Sequence, residues 1–536
     1  MARSSPTAAR PARRPSFADK PPAWAQSRTR RPERPILFAC AAVGLLFALL
    51  TVLERVGVDR NVLGALAVVL PCGAVAVLAL IGRTIDRLPF VVDDARGGSL
   101  GNGLALGAEW LGSWGMPAAV LVPLAAGGSA APILLGTALG LVVLVVAFAP
   151  TMRRVQALSP AAFLSARTGS ALIGPATALA QLAALGGLAV FQLVLLRTLL
   201  IPFVGPGADA VLLVMIVLAA AICIVGGQRS LTLVNAFLAF FLTLAVAVPA
   251  LAVVAGIDGL TAALPLDRGF VRALPGAAAG EGAGGLAGRL AVLMAFALAW
   301  IALPSATLRL AAVRRGASAR TGAWVMLAGY VVASAAALAF ARTVLSPGLT
   351  LAANGEPSIL SVLPALGWLG AAWAGFAMSL FAVAAVLGRD LLAKRNPAGG
   401  WMEQRGVVLM RLVFLLVPVG AWFALRGTLP LAAPVADLLN VDTARGGLGL
   451  ALVASGGVLA PGLVAGVFWR HVTVPGLVLG QVGATALALV LWPLLDAVLV
   501  TLIAGAGNAG LVFAGAFLTP RRWRPAPSLL AVARDP

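Results

Sequence analysis

Glu109 is an acid in apolar company. It lies in the stretch Gly101–Pro117, GNGLALGAEWLGSWGMP, which opens as a hydrophobic helix and then meets Gly112, Ser113, Gly115 and Pro117. An intramembrane carboxyl group is expensive, and such groups mark solute, ion or proton pathways. Backbone that stops being helical at membrane depth is tolerated only against protein or a water-filled cavity. Glu109 can therefore carry a proton, or it can brace a neighbouring helix. Ser113 and Gln192 can hydrogen-bond a solute or an adjoining helix, and Trp110 and Trp114 can cover a solute or simply pack. A second interruption falls at Pro304-Ser305. Arg309, just beyond it, can bind a carboxylate, or it can mark the end of its span, the favoured reading because Arg314 and Arg315 follow. Arg197 lies deep in its span but is long enough to snorkel outward.

Other chemistry is poorly supplied. His471 is the single histidine and Tyr330 the single tyrosine. Cys40, Cys72 and Cys223 lie inside apolar spans, with no metal spacing and no disulfide framework. No paired carboxylates, metal cluster or nucleophile motif points to an enzyme, and no cofactor is expected.

The elements that must position these residues are membrane spans. Of 536 residues, 61% are hydrophobic and 11% charged, and mean hydropathy is +1.00. Apolar runs long enough to cross about 30 Å of hydrocarbon recur along the chain. The net charge of +20 sits in short loops and tails, so it reads as topology and contact with the lipid bilayer, not as a nucleic-acid surface. The hydropathy pattern predicts fourteen spans: 36–54, 61–82, 100–124, 130–150, 171–203, 209–226, 230–255, 289–312, 322–345, 366–388, 406–425, 443–468, 474–495 and 497–519. Residues 1–35 are rich in Arg, Pro and Ser and are expected to be a disordered tail. Residues 520–536 form a second polar tail. Arg-bearing loops after even-numbered spans predict that both tails are cytoplasmic, in a multi-pass protein of the cytoplasmic (inner) membrane.

A collinear series of motifs gives the chain a family resemblance. NGLALGAEWLG (Asn102–Gly112) is similar to the first core helix of the sodium:solute symporter family, in its acetate and monocarboxylate branch. The loop 152–170, MRRVQALSPAAFLSARTGS, resembles that family's basic loop. Gln192 matches a glutamine of the third core helix. GGQRSLTLVN (Gly226–Asn235) resembles a family signature, with Thr232 kept and Asn235 at an acid or amide position. LPSATLR (Leu303–Arg309) resembles the sixth core helix, RDLL (Arg389–Leu392) the close of the eighth, and FWRHVTVPGLVLG (Phe468–Gly480) a later segment.

The resemblance implies an all-α polytopic protein with an inverted five-helix-repeat (LeuT-like) transporter core. The repeats would be 100–255 and 289–468, preceded by two extra helices in 36–82 and followed by two in 474–519. It implies a secondary active transporter that moves a small solute, a short organic anion such as acetate, by alternating access. The solute would meet Glu109, Trp110, Ser113, Gln192, Pro304 and Ser305 between the broken first and sixth core helices.

The departures concern the coupling ion. A family sodium site would use backbone carbonyls of the first helix, here at Ala108 and Leu111, and paired hydroxyls on the eighth. Ala384 and Ala385 stand at those paired positions, leaving Ser379 as a distant substitute. A hard cation needs oxygen ligands that a methyl group lacks. Proton coupling through Glu109, a uniporter without ion coupling, and a non-transporting scaffold or sensor on the same fold are the alternatives. Asp390 is expected to cap its helix and pair with Arg389 or Arg395. Oligomeric state is not set by the sequence.

Overall fold

The computed structural model describes residues 33–85, 90–91, 98–110, 131–148, 151–152, 157, 159–170, 172–204, 207–255, 285–312, 321–322, 324–325, 327–328, 363–392, 400–425 and 446–519. Nearly all of the tail 1–35 and of the tail 520–536, most of the span 322–345 and most of the 256–288 loop lie outside these residues.

The described residues are helical almost throughout. Two helices, α1 (Glu33–Arg55) and α2 (Arg60–Ile81), precede α3 (Gly98–Trp110). Next come α4 (Ala131–Val143), widened into a π turn at Leu144–Phe148, then α5 (Pro160–Thr168), α6 (Ile173–Val204) and α7 (Ala208–Ala255). The second half holds α8 (Gly285–Ile301), α9 (Pro304–Ala312) and α10 (Leu363–Ala385), the last running on through a π segment at Val386–Leu392. It continues with α11 (Gly400–Leu425), α12 (Gly447–Leu452), a π segment at Val453–Leu459 and α13 (Ala460–Phe468). The helices α14 (Val474–Leu491) and α15 (Ala497–Leu518) complete the set. Nine helices among the described residues are long and apolar enough to cross a membrane, ten if the bent pair α8–α9 is one span. Large apolar side chains on α1, such as Leu37, Phe38 and Leu45, are exposed. A water-soluble protein would be penalised for such a surface, whereas lipid accepts it.

The centre is α10. Its most apolar window is wholly buried, against 22% for α1 and 33% for α2 and α14. It packs on α7, α6, α3 and α11. The sequence of α10, LPALGWLGAAWAGFAMSLFAVAA, explains the closeness: Gly and Ala let backbones approach where lipid supplies no hydrophobic drive. The same device joins α6 to α12, where a Cβ on Gly447 would lie 2.3 Å from the Gly187 carbonyl oxygen.

One expectation changes in detail and another is sharpened. The loop 152–170 contains a capped helix, α5: the Ser159 hydroxyl accepts from the Ala162 N–H at 3.0 Å, Pro160 starts the helix, and Gly169 closes it at φ 67°. The spans 209–226 and 230–255 keep their division: α7 is two helical runs that meet at a kink at Gly227, with φ 55° and ψ −134°. A side chain is barred there twice over. Glycine alone tolerates those angles, and a Cβ would meet the Phe90 carbonyl oxygen at 2.3 Å. Gly227→Ala should therefore cost about 3 kcal/mol or more. Thermal unfolding of the detergent-solubilised protein should show a large loss of stability, with none for Gly186→Ala, whose added methyl meets open space.

Candidate functional site

Glu109 stands one residue before the end of α3, and Arg309 stands in α9, just past a break. The pair α8–α9 bends by 47° across Ala302 and Leu303, and Pro304 opens the new helix. Proline suits that position because the first N–H of a helix has no partner in any case. The Thr307 hydroxyl bonds the Pro304 carbonyl at 2.9 Å and steadies the turn. At about 1.5 Å per residue, Arg309 is carried only some 7.5 Å beyond Pro304.

The two side chains meet. Arg309 is fully buried and Glu109 is 6% exposed. Arg309 Nε donates to Glu109 Oε2 at 2.9 Å, and Nη2 donates to Oε1. This two-pronged arrangement suits a planar guanidinium and a carboxylate. The third nitrogen, Nη1, donates to Thr232 Oγ1 at 3.0 Å and to Asn102 Oδ1 at 3.5 Å. Asn235 Nδ2 donates to Glu109 Oε1 at 2.6 Å and reaches the Ala374 carbonyl of α10 at 3.5 Å. Helical spacing puts these groups on shared faces. Thr232 and Asn235 are one turn apart on α7, and Asn102 and Glu109 two turns apart on α3. One ion pair thus ties α3 to α9, with α7 and α10 closing around it. Asn102 Nδ2 and Asn235 Oδ1, both buried in this ring, make no hydrogen bond within the described protein.

Arg309 stands in the last turn of α9, where an end-marker would sit, yet it is fully buried and paired with Glu109, so marking an end is not its whole role. The nearby Arg314 and Arg315 suggested a membrane boundary, but a new helix starts at Pro304 and turns Arg309 inward. Glu109 takes the bracing role. Thr232 and Asn235 stood in a motif from the sequence, though their target did not. The signal that could have found it is depth: an arginine so close to a mid-span break needs an internal anion.

Other candidates fall elsewhere. The Ser379 hydroxyl donates to Gln192 Oε1 at 3.0 Å, joining α10 to α6. Ser379 lies about 7.5 Å further along α10 than Ala374, so this polar pair forms a separate level. Ser305 and Pro304 lie buried at the break. Ala108, Ala384 and Ala385 are buried, and their side chains bring no oxygen to the site. Leu111 and Ser113 lie outside the described residues, as does Trp114, and only the backbone of Trp110 is described. Asp390 accepts a hydrogen bond from Ser159 at 2.5 Å, pinning the cap of α5 to the π segment that follows α10. Arg197 pairs with Asp209 at 2.9 Å near the surface, where such pairs contribute little. Among the described residues, no group of three or more His, Cys, Asp or Glu side chains could hold a metal ion.

No family model matches the chain, and no curated protein matches it in sequence. Solved structures do match. One is a Na+-coupled sialic acid symporter in a substrate-bound, outward-open state. It superposes with a TM-score of 0.64 over 86% of this chain and 98% of its own, at 13% identity. The fold is a transporter fold. The expected all-α, inverted five-helix-repeat architecture therefore holds, and within it the Glu109–Arg309 pair joins α3 to α9, the second half of the bent pair.

Arg309→Lys tests the geometry of the pair. Lysine keeps the charge but not the fork, so the bonds to Thr232 and one carboxylate oxygen are lost together. The expected loss of stability is about 1.5–3 kcal/mol, read from thermal unfolding by tryptophan fluorescence. Arg470→Lys, at an exposed residue bonded to its neighbour His471, should change nothing measurable.

Proposed function

We propose that the chain is a secondary active transporter of the sodium:solute symporter type, moving a short organic anion such as acetate across the cytoplasmic membrane by alternating access. The observation that carries this reading is the helix break at Ala302-Leu303, set in a transporter fold with a buried, paired charge beside it. Broken helices at the interface of inverted repeats are where such folds bind solute and coupling ion. The halves 100–255 and 289–468 would rock about the site. Because the ion pair spans both halves, its making and breaking would accompany that motion. The arginine-rich loops favour cytoplasmic tails. A buried guanidinium that already holds a carboxylate favours an anion as solute.

Sodium is the weaker partner in this reading. The two positions where the family resemblance places paired hydroxyls carry the methyl groups of Ala384 and Ala385, and Ser379 is engaged with Gln192. A proton, with Glu109 as its carrier, fits the residues better.

Uptake into proteoliposomes tests both parts. Radiolabelled acetate, pyruvate and propionate are offered separately under an inward proton gradient and an inward sodium gradient. The expected result is accumulation of at least one of them under the proton gradient. Entry of none overturns the monocarboxylate assignment. Accumulation driven by sodium alone overturns the proton reading.

A further inference from the structure

We propose that Arg309 is the solute-binding cation and that Glu109 is its stand-in ligand: an arriving organic carboxylate takes Arg309 while a proton neutralises the displaced Glu109. The inference rests on the transport reading above and specifies how solute and coupling ion are linked.

Recognition is the first ground. The Arg309 fork holds the Glu109 carboxylate through Nε and Nη2. A small carboxylic acid presents the same two oxygens at the same spacing, so it competes for the same donors. In the solute-free protein, Glu109 fills that place and keeps a fully buried guanidinium from standing unpaired.

Charge is the second. Among the described residues, one guanidinium and one carboxylate balance at the site, and the other groups facing them are uncharged: Thr232 and Asn235 from α7, the Ala374 carbonyl from α10 and Asn102 from α3 itself. Farther along α10, the Cys223 thiol of α7 donates to the Ala377 carbonyl and Ser379 bonds Gln192. A second carboxylate would leave one negative charge in surplus inside a low-dielectric core, which is strongly disfavoured. A single proton on Glu109 restores neutrality. Anion and proton enter together, leave together on the other side, and Glu109 returns to Arg309.

The two unpartnered amide atoms are the third. Asn235 Oδ1 is a buried acceptor with no donor, and it adjoins Glu109. A protonated Glu109 gains a hydroxyl that can donate to it. Asn102 Nδ2 is a buried donor with no acceptor, beside Arg309 Nη1. It can serve an oxygen of the incoming carboxylate. Buried polar groups are normally satisfied, and the solute-bound arrangement satisfies both.

The test counts protons. Propionate is titrated into the purified wild-type protein in weakly buffered detergent solution without sodium, and pH change and binding are followed together. The expected uptake is about one proton per propionate bound, with affinity tightening up to about tenfold for each unit fall in pH. Glu109→Gln should bind propionate with no proton uptake. Glu109→Gln combined with Arg309→Gln, which removes both charges at once, should not bind it. Binding by the wild type without proton uptake, or only with sodium added, overturns the inference. Undiminished binding by the double variant does so as well. If Glu109→Gln does not fold, the wild-type proton count decides. Should anions cross vesicles while binding takes up no proton, this inference falls and the transport reading stands. Should no anion bind or cross, both fall.

Discussion

Burying one arginine in a membrane protein constrains everything around it. A guanidinium cannot shed its proton, and moving it out of water without a counter-charge is prohibitive. Arg309 is fully buried, so Glu109 has to be within reach, which fixes the end of α3 against the last turn of α9. Among the described residues three donors converge on the carboxylate and all three guanidinium nitrogens donate, so the orientation of each helix is set as well as its distance. Thr232 and Asn235 then hold α7 at one rotation about its axis.

The rest of the fold makes that convergence feasible. A bent helix brings Arg309 inward; a straight one would carry it toward the membrane surface. The central helix α10 is built from small residues, so α3, α6 and α7 can close on it. Gly227 lets α7 turn within the core, where any side chain would collide with Phe90. Small residues therefore do two jobs: they pack helices in lipid, and they bring a handful of polar groups to one point.

Much of the fold was legible in the sequence, because a span must be apolar for its whole length and a break in it needs Gly, Ser or Pro. The ends of α1, α2, α14 and α15 follow from hydropathy alone, and Leu303-Pro304-Ser305 marks the bend within a residue or two. Glu109, Thr232, Asn235 and Arg309 each stood out singly. Their partnership did not, because Glu109 and Arg309 are 200 residues apart and nothing local to either names the other. For Arg309 the count of positive charges near a span's end says nothing of burial, so the pairing with a carboxylate comes only from the structure. Gln192 met a related difficulty: a solute or a neighbouring helix could partner it, and only the structure names Ser379 of α10 as the helix contact.

Whether Glu109 and Arg309 act in the folded protein as one unit is read from a double-mutant cycle on stability. Glu109→Gln and Arg309→Gln are made singly and together, and unfolding is followed in the same detergent. Each single substitution leaves a buried charge alone and should cost about 3–5 kcal/mol. The double substitution removes both charges and should cost far less than the sum. Losses that add to within about 0.5 kcal/mol would mean the two residues do not interact, and the account would be wrong at its centre.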